Sequence, residues 1–239
     1  MTIWRNNEIG KLTIESLVYG GDGIGHLPDG RALFVPFALP GELVSVRLVD
    51  EKRGYARAEL VEVLEPAPRR ITPRCRHFSL CGGCHYQHMD YQTQLTVKSD
   101  ILHDQLERIG GLKDIPLQQV VPSPEAWHYR NHVQFHQTPT GKLGFQAVRT
   151  NQPFPVEECY LPDPDLNVIW PQLDLEVLPG LERVSLRQDS EGEVMLILDS
   201  EDPQPFEFEV EGLSLSAVQL GPGGALVLAG REFLVMEVA

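Results

Sequence analysis

The chain has 239 residues, 42% of them hydrophobic, and a formal net charge of −14. That is enough sequence to bury a core in two domains. No apolar run approaches the roughly 20 residues that span a bilayer. The acidic balance excludes a generic basic nucleic-acid binder, so any RNA contact must come from a local patch.

The N-terminus, Met1 to Asn7, has no apolar h-region of a secretory signal. The chain is therefore assigned to the cytoplasm, where reducing conditions favour thiols as metal ligands over disulfides. Residues 9–65 read as short strands separated by turn chemistry. Leu12, Ile14 and Ser16 alternate with polar neighbours, Gly20 to Gly25 reads as a loop, and Ala32-Leu-Phe-Val-Pro36 is a compact apolar run closed by Pro40-Gly41. Val44, Val46 and Leu48 then alternate, as do Ala56, Ala58 and Leu60. Strands of this length and spacing favour a small closed β-barrel. Pro66-Ala-Pro68 ends it as a stiff linker.

The hairpin region of the barrel carries Lys52, Arg53, Tyr55 and Arg57, with Arg31 and Phe34 on neighbouring turns or strands. OB-like barrels bind RNA through such a face, cations on phosphates and aromatics on bases. Against this stand Asp50 and Glu51, which blunt the field and suit an ordinary solvated loop. Phe34, inside the apolar run, is assigned to the core.

All the cysteine in the chain lies in Cys75-x5-Cys81-Gly-Gly-Cys84 and in Cys159. Three thiols so closely spaced converge easily on one soft metal centre, and a distant fourth completes the shell. Gly82 and Gly83 let the backbone turn tightly around sulfur and point N–H groups at it. The spacing matches neither a ferredoxin run nor a zinc ribbon, so a metal centre is favoured over buried thiols and disulfides without fixing the metal. His77, His85 and His88 offer a zinc site of three cysteines and one histidine as the rival chemistry.

One helix follows, from about Tyr91 to Ile109, capped by Asp90, striped by Leu95, Leu102, Leu106 and Ile109, and stopped by Gly110-Gly111. Beyond it the chain reads as strands again. Val133 and Phe135 alternate, Pro139-Thr-Gly141 turns into Leu143-Gly-Phe145, and Val184–Leu186 and Val194–Leu198 flank a hairpin connection at Asp189–Gly192. A short helix is placed between Asp163 and Leu175, and Gly221-Pro-Gly-Gly224 is a turn. Phe233 to Ala239 reads as an unfinished edge strand, which suggests a piece of a longer protein.

Several of these residues resemble a family. Gly21-Asp-Gly-Ile-Gly25, Leu33-Phe-Val-Pro36 and Pro40-Gly-Glu42 look like a TRAM domain, an OB-like RNA-binding barrel. Cys75-x5-Cys81-Gly-Gly-Cys84-x2-Gln87-His88 resembles the iron–sulfur signature of the RNA uridine-C5 methyltransferases. Tyr129-Arg-Asn131, Leu143-Gly-Phe145 and the Cys159-x-Leu161 segment follow in that family's order. The resemblance implies a [4Fe–4S] cluster on Cys75, Cys81, Cys84 and Cys159, and methyl transfer from S-adenosylmethionine to C5 of a uridine in rRNA or tRNA. It also implies that Arg130 contacts RNA, although His132 and Gln146 stand where the family more often shows arginine.

The resulting expectation is a mainly β, α+β chain. A TRAM barrel spans residues 1–68, and a cluster-bearing α+β central domain spans 69–239, its helix at 91–109 packing on a domain that is missing. That domain, Rossmann-like and S-adenosylmethionine-binding, is expected to be absent. No glycine-rich loop, general base or spare thiol is found, so no catalytic residue is assigned and S-adenosylmethionine enters only through the absent domain. The chain then reads as the RNA-recognition and iron–sulfur portion of such an enzyme, with structured RNA as partner and no DNA or membrane. The alternatives are a stand-alone RNA-binding scaffold and a redox-sensing cluster protein.

Overall fold

A computed structural model describes residues 4 and 7–237 except 174, 203 and 208–211. Two compact units emerge: residues 1–79 with 84–122, and residues 80–83 with 123–239.

The first unit is built on six strands: β1 (Ile9–Thr13), β2 (Ser16–Leu17), β3 (Gly23–His26), β4 (Ala32–Val35), β5 (Leu43–Glu51) and β6 (Tyr55–Glu65), in the order β1-β5-β6-β4-β3-β2. β1 and β2 are two halves of one bent stretch. β1 pairs with β5 and β2 with β3, and the Glu15 N–H between them donates to the Ile24 carbonyl at 2.8 Å. One segment thus occupies both edges, which closes the sheet into a barrel and leaves no long free edge. The closure brings Thr13 so near that a Cβ at Gly25 would lie 2.6 Å from its carbonyl oxygen, so only glycine fits there. The stretch expected to be a loop, Gly20 to Gly25, is therefore half strand. Alternate residues Leu33, Val35, Val44, Val46, Leu48, Ala56 and Ala58 fill the interior, all fully buried.

Leu39-Pro40-Gly41-Glu42 forms a tight turn, Glu42 N–H donating to the Leu39 carbonyl at 3.1 Å with Gly41 at φ 83°. The turn delivers Glu42 into the interior, where it is 0% exposed. Its carboxylate accepts from the N–H groups of Leu39 (2.8 Å) and Ala67 (3.2 Å) and is forked by the Arg70 guanidinium. Arg70 also donates to the Phe37 carbonyl at 2.8 Å, and its backbone bridges to Met89. The linker after the barrel is thus fastened both to the barrel and to the segment that enters the helix.

The helix α1 (Tyr91–Asp104) starts where Asp90 caps it, its carboxylate accepting from Thr93 N–H at 2.8 Å. Its last part differs from the expected regular helix. Gln105–Ile109 forms a π turn, with Gly110 N–H reaching back to the Gln105 carbonyl at 3.0 Å. The buried face also differs. Val97 and Ile101, one turn apart, pack with Met89 and Leu39, whereas Leu102 and Ile109 of the expected stripe are exposed.

The second unit carries β7 (His132–Gln137), β8 (Leu143–Gln146), β9 (Pro153–Pro155), β10 (Leu181–Gln188), β11 (Val194–Ser200), β12 (Ser216–Gly221) and β13 (Gly224–Ala229). Their order is β13-β12-β11-β10-β7-β8-β9, antiparallel except for β11 with β12. A short helix α2 (Pro164–Ile169), with Asp163 as cap and proline in its first turn, runs into a 3-10 turn at Trp170–Gln172. Leu166 and Trp170 join Val133, Phe135, Leu186 and Leu196 in the core, where Phe135 stacks on Phe145 at 5.1 Å. The expected terminal strand is not formed over residues 233–237, while 238 and 239 lie outside the described residues. Backbone N–H groups there go to a turn instead: Val235 to Asp189 Oδ2 (3.3 Å) and Glu237 to Ser190 Oγ (2.9 Å).

Burial pushes the Glu42 carboxyl up, but the Arg70 guanidinium and the Leu39 and Ala67 N–H groups outweigh it and hold it below the usual range. Its stabilisation is complete above the unfolded carboxylate pKa of about 4.3 and is lost as pH falls through the lower folded value. Arg70→Met should destabilise the protein by about 3 kcal/mol at neutral pH, the low end for a broken buried pair because Arg70 keeps some contact with water. The acid-side loss of stability should become shallower in that variant. Urea melts at pH 7 and across the acid range check both, and a loss under about 1 kcal/mol would show that this pair does not hold the unit together.

Candidate functional site

Two groups of side chains carry chemistry, and each is described within its own unit. The first is the outer face of the barrel. β3, β4 and β6 lie side by side, with Ile24 beside Phe34 beside Arg57, and His26 beside Ala32 beside Tyr55. Leu33, Val35, Ala56 and Ala58 point inward, so Phe34, Tyr55 and Arg57 point outward together. Phe34 is therefore not the core residue expected from its place in an apolar run. The run obscures its period, yet it alternates like any half-buried strand. The Phe34 and Tyr55 rings meet edge to face at 5.8 Å, and the Arg57 guanidinium lies 5.9 Å from the Tyr55 ring centroid.

The basic residues expected on this face do not stand alike. Arg31 is held by Asp29 (2.7 Å) and Glu51 (3.1 Å) and donates to the Lys52 carbonyl. Those hydrogen bonds, first of all that to Asp29, keep its guanidinium protonated well above its ordinary value. Lys52 pairs with Asp50 at 3.2 Å. Arg53 and Arg57 are exposed and make no ion pair among the described residues. Of the four cations, only these two form no ion pair, although Asp50 stands opposite Arg57 across β5 and β6.

The second group is the thiols. None of the four is joined in a disulfide and all are partly buried, Cys75 and Cys84 in the first unit and Cys81 and Cys159 in the second. The segment carrying the first three is an excursion closed at its base by the Arg70–Met89 bridge and by Ile71 N–H on the His88 carbonyl. Cys75 N–H donates to Gln87 Oε1 at 3.2 Å. Cys81 bridges to Ala147, and Gly83 N–H points at Cys81 Sγ at 3.4 Å, the contact its glycine neighbours were expected to permit. Cys159 N–H donates to Asn167 Oδ1 of α2 at 3.0 Å. Arg130 is exposed, and its backbone joins Leu161 and Asp163 just beyond Cys159. Among the described residues, no three His, Cys, Asp or Glu side chains form a group that could hold a metal ion, so the arrangement supports neither the four-cysteine cluster nor the zinc alternative.

His88 is not a ligand in this arrangement. It is 1% exposed, stacked near Phe78 (5.4 Å) and Phe37 (6.4 Å), and neither ring nitrogen finds a hydrogen-bond partner. His77 lies beside Arg76 and His85 beside Tyr86. Two residues that organise this region, Glu42 and Arg70, were not singled out for it from sequence. The Pro40-Gly41 turn before Glu42 was their one visible signal.

Comparison with known proteins follows the same division. Residues 4–61 match the TRAM domain. An uncharacterized RNA methyltransferase of Aquifex aeolicus is 40% identical over 176 residues, 73% of this chain and 41% of that protein. The 23S rRNA (uracil(1939)-C(5))-methyltransferase RlmD of Nitrosospira multiformis is 35% identical over 198 residues, 78% of this chain and 45% of that protein. The chain spans less than half the length of these two relatives. A solved structure of Pyrococcus abyssi tRNA (uracil-54, C5)-methyltransferase with S-adenosyl-L-homocysteine superposes with a TM-score of 0.60 and 21% identity. It covers 95% of this chain and 57% of the other.

These findings correct the expected fold class and function. Against the expectation of an N-terminal portion whose Rossmann-like methyltransferase domain and methyl-transfer site are absent, the fold likeness to the Pyrococcus abyssi methyltransferase runs over 95% of this chain and 57% of the other. The expected absence rests on a missing glycine-rich loop and on counting thiols. The first is a weak test, because a nucleotide site can be built from backbone geometry that no short pattern records. Among the described residues, no helix is long and apolar enough to cross a membrane.

Burial, and then the nearby Arg70 charge, push His88 down to about 4 against the opposing pull of Glu42. An unfolded histidine takes its proton near pH 6.5, so the unfolded state binds more protons between 6.5 and 4 and stability falls as pH falls through that window. His88→Phe should flatten this slope. The drop in urea midpoint from pH 7 to pH 5 should shrink in the variant, and an unchanged drop would refute the assignment.

Proposed function

We propose that the protein is an RNA (uracil-C5) methyltransferase of the cytoplasm, which binds rRNA or tRNA and transfers a methyl group from S-adenosylmethionine to C5 of a uridine. The observation that carries this reading is the 35% identity to the Nitrosospira multiformis enzyme across 78% of the chain. The barrel supports it physically. Residues 1–68 act as the RNA-binding module, with Arg53 and Arg57 as charges available to phosphates and Tyr55 as a ring available to a base. Arg31 and Lys52 belong to the same face, but their carboxylate partners make them supports of the hairpin before they are phosphate contacts. Arg130 adds a cation with no carboxylate partner among the described residues.

We assign Cys75, Cys81, Cys84 and Cys159 as ligands of a [4Fe–4S] cluster. Support comes from the four cysteines standing outside any disulfide and from the Gly83 N–H aimed at Cys81 Sγ, a contact of the kind that stabilises ligating thiolate. When bound, such a cluster supplies a cross-link between chain segments that carry little regular structure of their own.

Two measurements test this. Deleting the gene should remove one 5-methyluridine from the cell's rRNA or tRNA by nucleoside mass spectrometry, restored by the wild-type gene; unchanged methylation of both RNAs would overturn the enzymatic reading. Protein purified without oxygen should hold about four irons and four sulfides and absorb near 400 nm, and Cys159→Ala should lose both together. A colourless, sulfide-free wild-type protein would remove the cluster from the proposal.

A further inference from the structure

The thiol segment leaves the barrel and returns to it, and within the first unit both of its arms meet one barrel residue. Phe37 follows β4 with its backbone at φ 61°, a left-handed conformation that is costly for a bulky side chain. Arg70 holds it there by donating to the Phe37 carbonyl at 2.8 Å. The Phe37 ring meets Phe78 at 5.2 Å and 71°, and His88 at 6.4 Å and 80°. Phe78 lies on the outgoing arm and His88 on the returning arm, with their own rings 5.4 Å apart. Phe78 N–H donates to the Cys75 carbonyl at 3.1 Å, so a single turn joins that ring to a cysteine. On the returning arm, Gly21 of the β2–β3 turn closes on His85, the residue after Cys84; a Cβ at Gly21 would lie 2.8 Å from the His85 Cβ. His88 enters this group as a ring alone: it is 1% exposed and neither nitrogen has a hydrogen-bond partner. A buried imidazole that makes no hydrogen bond is destabilising by its polar atoms, so packing is what it contributes here.

We propose that Phe37, Phe78 and His88 form an aromatic latch by which the barrel positions the segment carrying Cys75 and Cys84. All three are positioning residues, acting on the thiols only through the chain that bears them. The inference rests on the assignment of these cysteines as metal ligands, and it gives the barrel a role beyond the RNA contact proposed for it. The segment between Ile71 and His88 forms turns and no named strand or helix, so gathering its thiols costs conformational entropy. Holding its two arms together beforehand lowers that cost.

The test is amide hydrogen exchange of the whole protein, read peptide by peptide by mass spectrometry, with iron measured on the same samples. Phe37→Gly removes the ring and suits the left-handed backbone, so it opens the latch at little cost to the barrel. Amides between residues 75 and 88 should then exchange at least about fivefold faster, while β5 and β6 keep wild-type rates and iron per chain falls. His88→Phe should keep wild-type exchange and iron, since a ring is retained. Wild-type protection of residues 75–88 in Phe37→Gly overturns the latch and leaves the metal assignment intact. Faster exchange that spreads over β5 and β6 also overturns it, because the ring then serves the barrel as a whole. Loss of iron in His88→Phe makes the imidazole a ligand and overturns its part as a ring. A wild-type protein without iron defeats the metal assignment alone, and the exchange rates uphold or overturn the latch by the same criteria.

Discussion

The first unit depends on one buried carboxylate. Glu42 is placed inside by a proline–glycine turn, and once there it must be paired, because an isolated buried charge is expensive. Its partners come from three parts of the chain: the turn itself, the linker at Ala67, and Arg70. Arg70 extends the constraint to Phe37 by a side-chain hydrogen bond and to Met89 by a backbone bridge. Arg69 and Asp90, the flanking pair, meet at 3.3 Å, and Asp90 caps α1. The two ion pairs and the Asp90 cap together fasten the end of the barrel, the base of the cysteine excursion and the start of the helix. Closing that excursion at its base also limits how far Cys75 and Cys84 can wander, which lowers the entropy lost when a centre forms on them.

The same economy of charge shapes the outer face of the barrel, where we propose that RNA binds. With a net charge of −14, the protein cannot rely on bulk attraction for nucleic acid. Acidic residues on the β5–β6 hairpin engage the cations that hold the hairpin together, so Arg31 and Lys52 serve its geometry. Arg53 and Arg57 remain, Arg57 beside the Tyr55 ring, which acts without charge. Base stacking then offers contact strength that salt screens weakly, a suitable arrangement for a strongly acidic chain.

Much of the barrel was legible because its side chains obey a period of two: Val44, Val46 and Leu48 alternate cleanly, and Ala56 and Ala58 do too. Phe34 was misplaced where four apolar residues in a row hide that period. Gly23 and Gly25 read as loop residues because glycine signals turns; here they are strand residues, and at Gly25 the missing Cβ allows close backbone approach to Thr13. The stripe on α1 followed helical spacing through its leucines, yet burial went to Val97 and Ile101, since tertiary neighbours and not spacing decide which face is covered. The thiols were conspicuous by type and count. Glu42 and Arg70 were not, because a pair separated by 28 positions leaves no local pattern. The missing catalytic domain was an argument from silence, and the fold likeness to the Pyrococcus abyssi enzyme over 95% of this chain and 57% of the other stands against it.

If the β3–β4–β6 face of the barrel is where RNA meets this protein, RNA should leave a covalent trace there. The decisive experiment is photocrosslinking of 4-thiouridine-substituted RNA to the whole protein, followed by peptide mass spectrometry. Crosslinks are expected within residues 32–35 and 53–57. Crosslinks confined to the strands between residues 181 and 229, with none on the barrel, would contradict this placement.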